Sequence, residues 1–333
     1  MDFFTRVDIP ASSIRIDYTK HIAFFGSCFA DNIAAQFAAR KFNVLSNPFG
    51  TVYNPLSIEL QLRGIADGKS FGESDAFKDN RRDNLWHSYH AHSSLSAATR
   101  EECIAKLNTA NAQAREFLQQ ADAVFITLGT AFVYYLKEAS AAGNGDAHGK
   151  VVANCHRQDP NLFERRMITV DEAAEAICGI VACLRTIAGH DQHIVFTVSP
   201  LRHLGDGAHG NNLSKSTLHL AIEKAIAGMQ APAGTVTYFP SFEIVMDELR
   251  DYRFYDSDLV HLSKTAEEYI FERMVESYCN DTTRSNIARV EKFLKSVNHR
   301  IQDANSTASQ EFLAKISAQA AELVSQISGL NLN

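Results

Sequence analysis

Apolar residues recur along this chain with two periods, and each change of period marks an element. His21-Ile22-Ala23-Phe24-Phe25 is a short apolar run that predicts a strand. Phe29 to Arg40 follows with Ile33, Phe37 and several alanines at helical spacing, which predicts an amphipathic helix. Asn43 to Ser46 reads as a second short strand, and Pro55 opens a helix to about Ala66, as proline does in a first helical turn. Thr99 to Gln120 predicts a helix with Ile104, Leu107, Ala114 and Leu118 on one side. Ala121 to Leu128 is almost continuously apolar, the mark of a strand covered on both faces. Thr169 and Glu172 have the spacing of a capping box, opening a helix to about Ala188. His193 to Val198 is another buried-type strand, Asn212 to Met229 a helix, Thr235 to Phe239 a strand and Phe242 to Leu249 a short helix. Helical patterns then run from Ser263 to about Asn298 and from Ser309 to Ile327.

Strands alternating with helices imply an α/β fold with parallel strands and right-handed crossovers. The expected core is one sheet of about five strands. Residues 1–278 are assigned to this domain and residues 279–333 to a C-terminal helical extension, expected to pack on the core or on a second copy in a homo-oligomer. Residues 1–20 read as an irregular lead-in. Residues 68–96 form a long polar insertion, rich in Asp, Ser and His, of the kind that is usually functional or mobile. Residues 139–149, rich in Gly, Ala and Asn, read as an exposed turn.

Composition narrows the function classes. The chain has 333 residues, 45% of them hydrophobic and 21% charged, enough apolar material for a full core. A net charge of −7 argues against a nucleic-acid partner, which needs a basic face. No signal-peptide pattern opens the chain and no apolar stretch reaches spanning length, so no membrane is expected and the expected location is cytoplasmic. The six cysteines lie at 28, 103, 155, 178, 183 and 279, a spacing that suits neither a zinc site nor a disulfide framework. Cys103, Cys178 and Cys183 fall in helical segments and are expected to be buried.

The candidate chemistry begins at Gly26-Ser27-Cys28-Phe29-Ala30, where a small-residue turn joins the first strand to the first helix. Such a junction can hold a nucleophile against helix N–H groups. Near the other end, Asp258-Leu259-Val260-His261 sets an acid three residues before a histidine. Cys28 is the first choice of nucleophile, because a thiolate is favoured at a helix N-terminus. Ser27 competes with it, with capping of the helix as its simpler role. His261 would take the proton and Asp258 would orient the ring, with Asp256 as a fallback acid.

Six further segments extend the pattern. Asn47-Pro48-Phe49-Gly50-Thr51-Val52-Tyr53-Asn54-Pro55, Thr127-Leu128-Gly129-Thr130 and Asn154-Cys155-His156 come first. Thr197-Val198-Ser199-Pro200-Leu201-Arg202-His203 and Tyr238-Phe239-Pro240-Ser241 follow. Asp247 to Tyr255 then runs on to His261. On these segments, together with Gly26 to Ala30, the chain resembles the GSCFA family, which is grouped with the SGNH (GDSL-like) hydrolases. The resemblance implies a flavodoxin-like three-layer αβα fold and an acyl-enzyme reaction. SGNH enzymes carry Gly-Asp-Ser, a second glycine, Gly-x-Asn and Asp-x-x-His. Gly26, Gly50, Asp258 and His261 match that order. Cys28 stands at the serine position, and Ala131 stands where the asparagine is expected.

The implied oxyanion donors are the backbone N–H groups of Cys28 and Gly50, with Gly129 and Thr130 in the third block. Asn154 or Asn47 could supply the missing amide, and His156 is carried with Asn154 as a substrate-binding candidate. Arg202 and His203, with Arg250 and Arg253, flank strand ends and could hold an anionic group, although surface pairing with Asp247, Glu248, Asp251 or Asp256 is the simpler role. The expected activity is hydrolysis of a small or carbohydrate-linked acyl ester (esterase, thioesterase or deacetylase) without a cofactor. Acyl transfer by the same nucleophile, or ligand binding without catalysis, are the alternatives. A third, metal-dependent reading rests on His87, His90 and His92 in the insertion, although no carboxylate or cysteine completes a ligand pattern there.

Overall fold

A computed structural model describes residues 5–10, 12–79, 83–137, 149–232, 234–297 and 307–332. In chain order the elements are strand β1 (His21–Gly26), helix α1 (Cys28–Ala39), β2 (Asn43–Ser46), α2 (Pro55–Ala66), β3 (Phe77–Lys78), β4 (Trp86–His87), α3 (Arg100–Leu118) and β5 (Ala123–Leu128). A second group comprises β6 (Phe132–Leu136), β7 (Lys150–Val152), β8 (Phe163–Met167), α4 (Val170–Ala188), β9 (His193–Val198), α5 (Gly207–Gly228) and β10 (Val236–Tyr238). The chain ends with α6 (Ser241–Glu243), α7 (Lys264–Tyr278), α8 (Asp281–Val297) and α9 (Thr307–Gln326).

Five strands form one parallel sheet in the order β10-β9-β5-β1-β2. Renumbered within the sheet this is the 2-1-3-4-5 order of a flavodoxin-like fold. Alternation along each strand assigns its side chains to two layers. Ala23, Phe25, Val124, Ile126, Ile194 and Phe196 join the core shared with α2, α3, α4 and α5. Ile22, Phe24, Phe125 and Val195 join the other core, with α1 and α7. Ile287, Val290, Phe293, Leu323 and Ile327 of the C-terminal helices belong to that second core, and Arg40 of the α1 C-terminus pairs with Glu268 and Glu291. The C-terminal helices therefore pack on the sheet domain of their own chain.

Local chemistry sets several boundaries where the sequence predicts them. Asn54 caps α2, its Oδ1 accepting from the Ser57 N–H, and Thr169 and Glu172 form the capping box of α4. The segment predicted as one helix from Ser263 to Asn298 is two. The chain breaks at Cys279 and Asn280, where Asn280 accepts from the Thr283 N–H. Phe242 to Leu249 is helical only in its first turn and then becomes π-helical over Ile244–Leu249. A three-stranded antiparallel sheet, β7-β6-β8, was not predicted at all. The turn predicted at 139–149 lies, except for Gly149, outside the described residues. Cys103 and Cys183 are buried as expected, but Cys178 is exposed on the outer face of α4.

The polar insertion is a packed element rather than an open loop. Phe71, His87 and His90 are buried in it, and β3 pairs with β4. Its three histidines serve different places. His87 contacts Ser96 and Asp83, His90 lies near Lys69 and Asp75, and His92 accepts from the Ser94 N–H. Among the described residues no group of three His, Cys, Asp or Glu side chains could hold a metal ion. Nor is any helix among them long and apolar enough to cross a membrane.

Candidate active site

Strand order reverses between β1 and β5, and ligands of such sheets bind at the carboxyl ends on either side of that point. Gly26 ends β1 there with φ +127°, and a Cβ on it would lie 2.0 Å from the Thr127 carbonyl oxygen of β5. Only glycine fits so close to a neighbouring strand. The Gly26 N–H donates to Asn47 Oδ1 over 2.8 Å, which fixes the turn leading into α1.

Cys28 follows at the first position of α1, half-buried. Burial pushes its thiol up, and the nearby Asp31 carboxylate adds to this. The Phe29 and Cys28 backbone N–H groups and the Lys215 side chain act in the opposite direction. At rest the group is a thiol, and a base must take its proton. Ser27 holds the N-cap position, but its side chain makes no capping bond. Its Oγ is instead buried without a partner, so the expected capping role is not seen.

His261 is oriented by Asp258. Asp258 Oδ2 contacts His261 Nδ1 at 2.5 Å, and Oδ1 accepts from the backbone N–H groups of Val260 and His261, both at 2.9 Å. The His261 hydrogen bond and these N–H groups hold the Asp258 carboxyl down at about 2, so it is ionised. An ionised acceptor at Nδ1 places the proton of a neutral ring on Nδ1 and leaves Nε2 as the base. Asp256 does not take this role: its carboxylate accepts from the Ser257 N–H.

Ser27, Cys28, Gly129, Lys215, Arg202 and His261 all line one cleft of about 600 Å³. The thiol and the ring therefore face the same space, although no hydrogen bond joins them in this conformation. A larger depression of about 790 Å³, bordered by Glu248, Lys264, Glu268 and Arg273, lies along α7 and contains none of the candidate residues. The antiparallel sheet also contributes to the cleft lining, through Phe132, Tyr134 and Phe163.

Residues 21–274 match the GSCFA family. The chain belongs to that family. No curated protein matches it.

Asn154, Arg202 and His203 line the cleft. Gly129 and Thr130 are there too, but their N–H groups already donate to the Tyr53 carbonyl at 2.7 and 2.9 Å. The Thr130 hydroxyl is shared between Ser214 and the Phe132 N–H. Gly50 is not in the cleft. Its N–H donates to the Asn47 carbonyl, and its φ of +80° serves a turn packed on His92. It is therefore not free to act as the predicted oxyanion donor. His156 also lies outside the lining, buried with its Nε2 on the Ser88 carbonyl. Asn47, Arg250 and Arg253 do not line the cleft; Asn47 Oδ1 accepts from the Gly26 N–H and its Nδ2 is buried without a partner.

Two cleft residues were missed. Asn54 spends its Oδ1 on capping α2, which leaves its amide N–H groups as donors. Lys215 is buried on α5, its Nζ donating to the carbonyls of Gly129 (2.7 Å) and Ser199 (2.6 Å). Burial drives its pKa down to about 7, with Arg202 adding to the effect and Cys28 opposing it. The sequence does carry a signal. Asn211, Ser214, Lys215 and Leu218 have buried-face helical spacing, so the inner face of α5 turns polar at its N-terminal end.

Proposed function

We propose that this protein is an acyl hydrolase of SGNH type that works through an acyl-enzyme on Cys28. The supporting observation is that a nucleophile at a helix N-terminus and an aspartate-bound histidine line one cleft at the sheet's switch point. His261 Nε2 takes the thiol proton as Sγ attacks the acyl carbonyl carbon. The oxyanion that forms is met by the first N–H groups of α1, with Asn54 and Lys215 in place of the absent asparagine. Collapse breaks the bond to the leaving group, which departs with the proton held by His261. Water, deprotonated by the same ring, then attacks the thioester and releases acid and free thiol. Closure of the cleft on substrate would bring ring and thiol into bonding range, as catalytic hydrogen bonds often tighten only in the complex. The substrate class is a small or carbohydrate-linked ester or thioester, and an acceptor other than water would make the same site an acyltransferase.

The absence of a bond between Cys28 and His261 favours one other reading, a ligand-binding protein on the same fold. Intact-protein mass spectrometry after exposure to an activated ester separates the two. A single acyl adduct is expected on the wild type and on Ser27→Ala, none on Cys28→Ala, and a rate at least a hundredfold lower on His261→Ala. Adduct persisting on Cys28→Ala but absent from Ser27→Ala would move the nucleophile to Ser27. Absence of adduct throughout would favour the binding protein.

A further inference from the structure

The charges in the cleft run against those of the chain. The whole protein carries −7, yet among the described residues no aspartate or glutamate lines this cleft, while Arg157, Arg165, Arg202 and Lys215 do. The neighbouring carboxylates are outside the lining and already engaged. Asp31, near Cys28, accepts from the Ser46 and Thr51 hydroxyls, Asp206 is buried between Arg165 and His203, and Asp258 holds His261. Arg165 also stacks its guanidinium on Phe132, 4.1 Å from the ring centre, which fixes the fork against an aromatic wall.

Arg202 is the informative cation. It is half-buried beside Lys215, and its one hydrogen-bond partner among the described residues is the neutral Asn212, at 3.1 Å. Arg157, on the rim, makes no ion pair among the described residues. A guanidinium withdrawn from water without a carboxylate is costly, and its planar fork suits a bidentate oxyanion. Lys215 feels both Arg202 and Cys28, so part of this positive charge lies near the proposed nucleophile.

We infer that the substrate carries an anionic group, a carboxylate or a similar oxyanion, on its acyl part, seated on Arg202 with Arg165 and Arg157 behind it. The inference rests on the acyl-hydrolase reading and narrows its substrate class. Uncharged short-chain esters would then be poor substrates, because they leave the Arg202 fork unpaired.

The test compares para-nitrophenyl hydrogen adipate with para-nitrophenyl hexanoate, esters of equal carbon count that differ by a terminal carboxylate against a methyl group. Spontaneous hydrolysis is subtracted. The wild type is expected to favour the adipate ester by about tenfold or more in kcat/KM, as one charge-assisted contact provides. The ratio should fall towards one in Arg202→Gln and should shrink with added salt. Equal rates in the wild type, or a ratio unchanged in both Arg202→Gln and Arg165→Gln, would overturn the inference and leave the hydrolase reading standing. If neither ester is turned over, the hydrolase reading fails and calorimetric titration with adipate decides the charge question. Binding weakened about tenfold by Arg202→Gln upholds the anion site, and no binding to the wild type rejects it.

Discussion

Lys215→Met is the most discriminating single change. The wild-type amine donates to two backbone carbonyls inside the protein and has no carboxylate partner among the described residues. Its pKa in the fold is about 7 against an ordinary 10.5. The folded value is the lower one, so the folded state binds fewer protons than the unfolded chain between those two limits. Stability therefore rises with pH across that window, and the penalty is fully present below it. Holding the amine charged costs about 5 kcal/mol at full effect, and about 2–3 kcal/mol of that is relieved between about pH 6 and pH 9. Methionine has no such dependence, but it leaves the two carbonyls unpaired at a cost of about 1–3 kcal/mol each. At the acid end the variant should match or exceed the wild type, and at the alkaline end it should be the weaker protein. Urea unfolding at both pH values measures this directly. Cys28 alkylation should also move to higher pH in the variant, since the cation that helps the thiolate has gone. A stability difference between the two proteins that stays constant across pH would refute the reasoning.

Two other predictions follow from the same geometry. Gly26→Ala forces a Cβ onto the Thr127 carbonyl at a backbone angle alanine avoids, and urea unfolding should show a loss of about 3 kcal/mol or more, or no folded protein. Burial holds His156 at about 4, below an unfolded value near 6.5, so its contribution to stability is lost as pH falls through that interval. His156→Asn, which tolerates the positive φ, should flatten the acid limb of the stability curve by up to about 3 kcal/mol.

The central sheet was legible because its strands are buried on both faces. Ala123–Leu128 is buried throughout, and the continuous apolar run says so without any knowledge of its neighbours. The capping box at Thr169 and the proline at the start of α2 are equally local signals. The β7-β6-β8 sheet was not legible, because β8, Phe-Glu-Arg-Arg-Met, has charged residues facing solvent and pairs with β6 across a long separation in sequence. The insertion was misread for a related reason. Its histidines look polar in sequence, but His87 and His156 are both buried with ring centres 4.6 Å apart, a contact made by distant segments. At the site, the turn and the Asp–His pair were visible as motifs. Lys215 was not, because a lysine on a helix normally reads as solvated and only the polar break in the inner face of α5 marks it.

Part of the chain's backbone strain and unpaired polarity lies at the carboxyl end of this sheet. Asn47 holds the Gly26 turn with a φ of +36°, Arg157 of the cleft and the buried His156 before it have φ values of +54° and +50°, and Leu259 lies between Asp258 and His261 at +57°. Left-handed backbone in non-glycine residues is unfavourable, most of all for leucine and arginine, which have no short polar side chain to compensate. The same end holds the Ser27 hydroxyl without a partner and the Lys215 amine without a counter-ion among the described residues. Alanine at 27 would remove the unpaired hydroxyl, and an apolar residue at 215 would remove the charge penalty at acid pH. The other end is not free of such cost, since Lys41 after α1 has a φ of +68° and Gln192 Oε1 is buried without a partner, although α4 closes in an ordinary left-handed glycine at Gly189. On the acyl-hydrolase reading, the strain found where β1 and β5 diverge is the cost of holding a thiol, a polarised ring and uncompensated positive charge ready for a substrate.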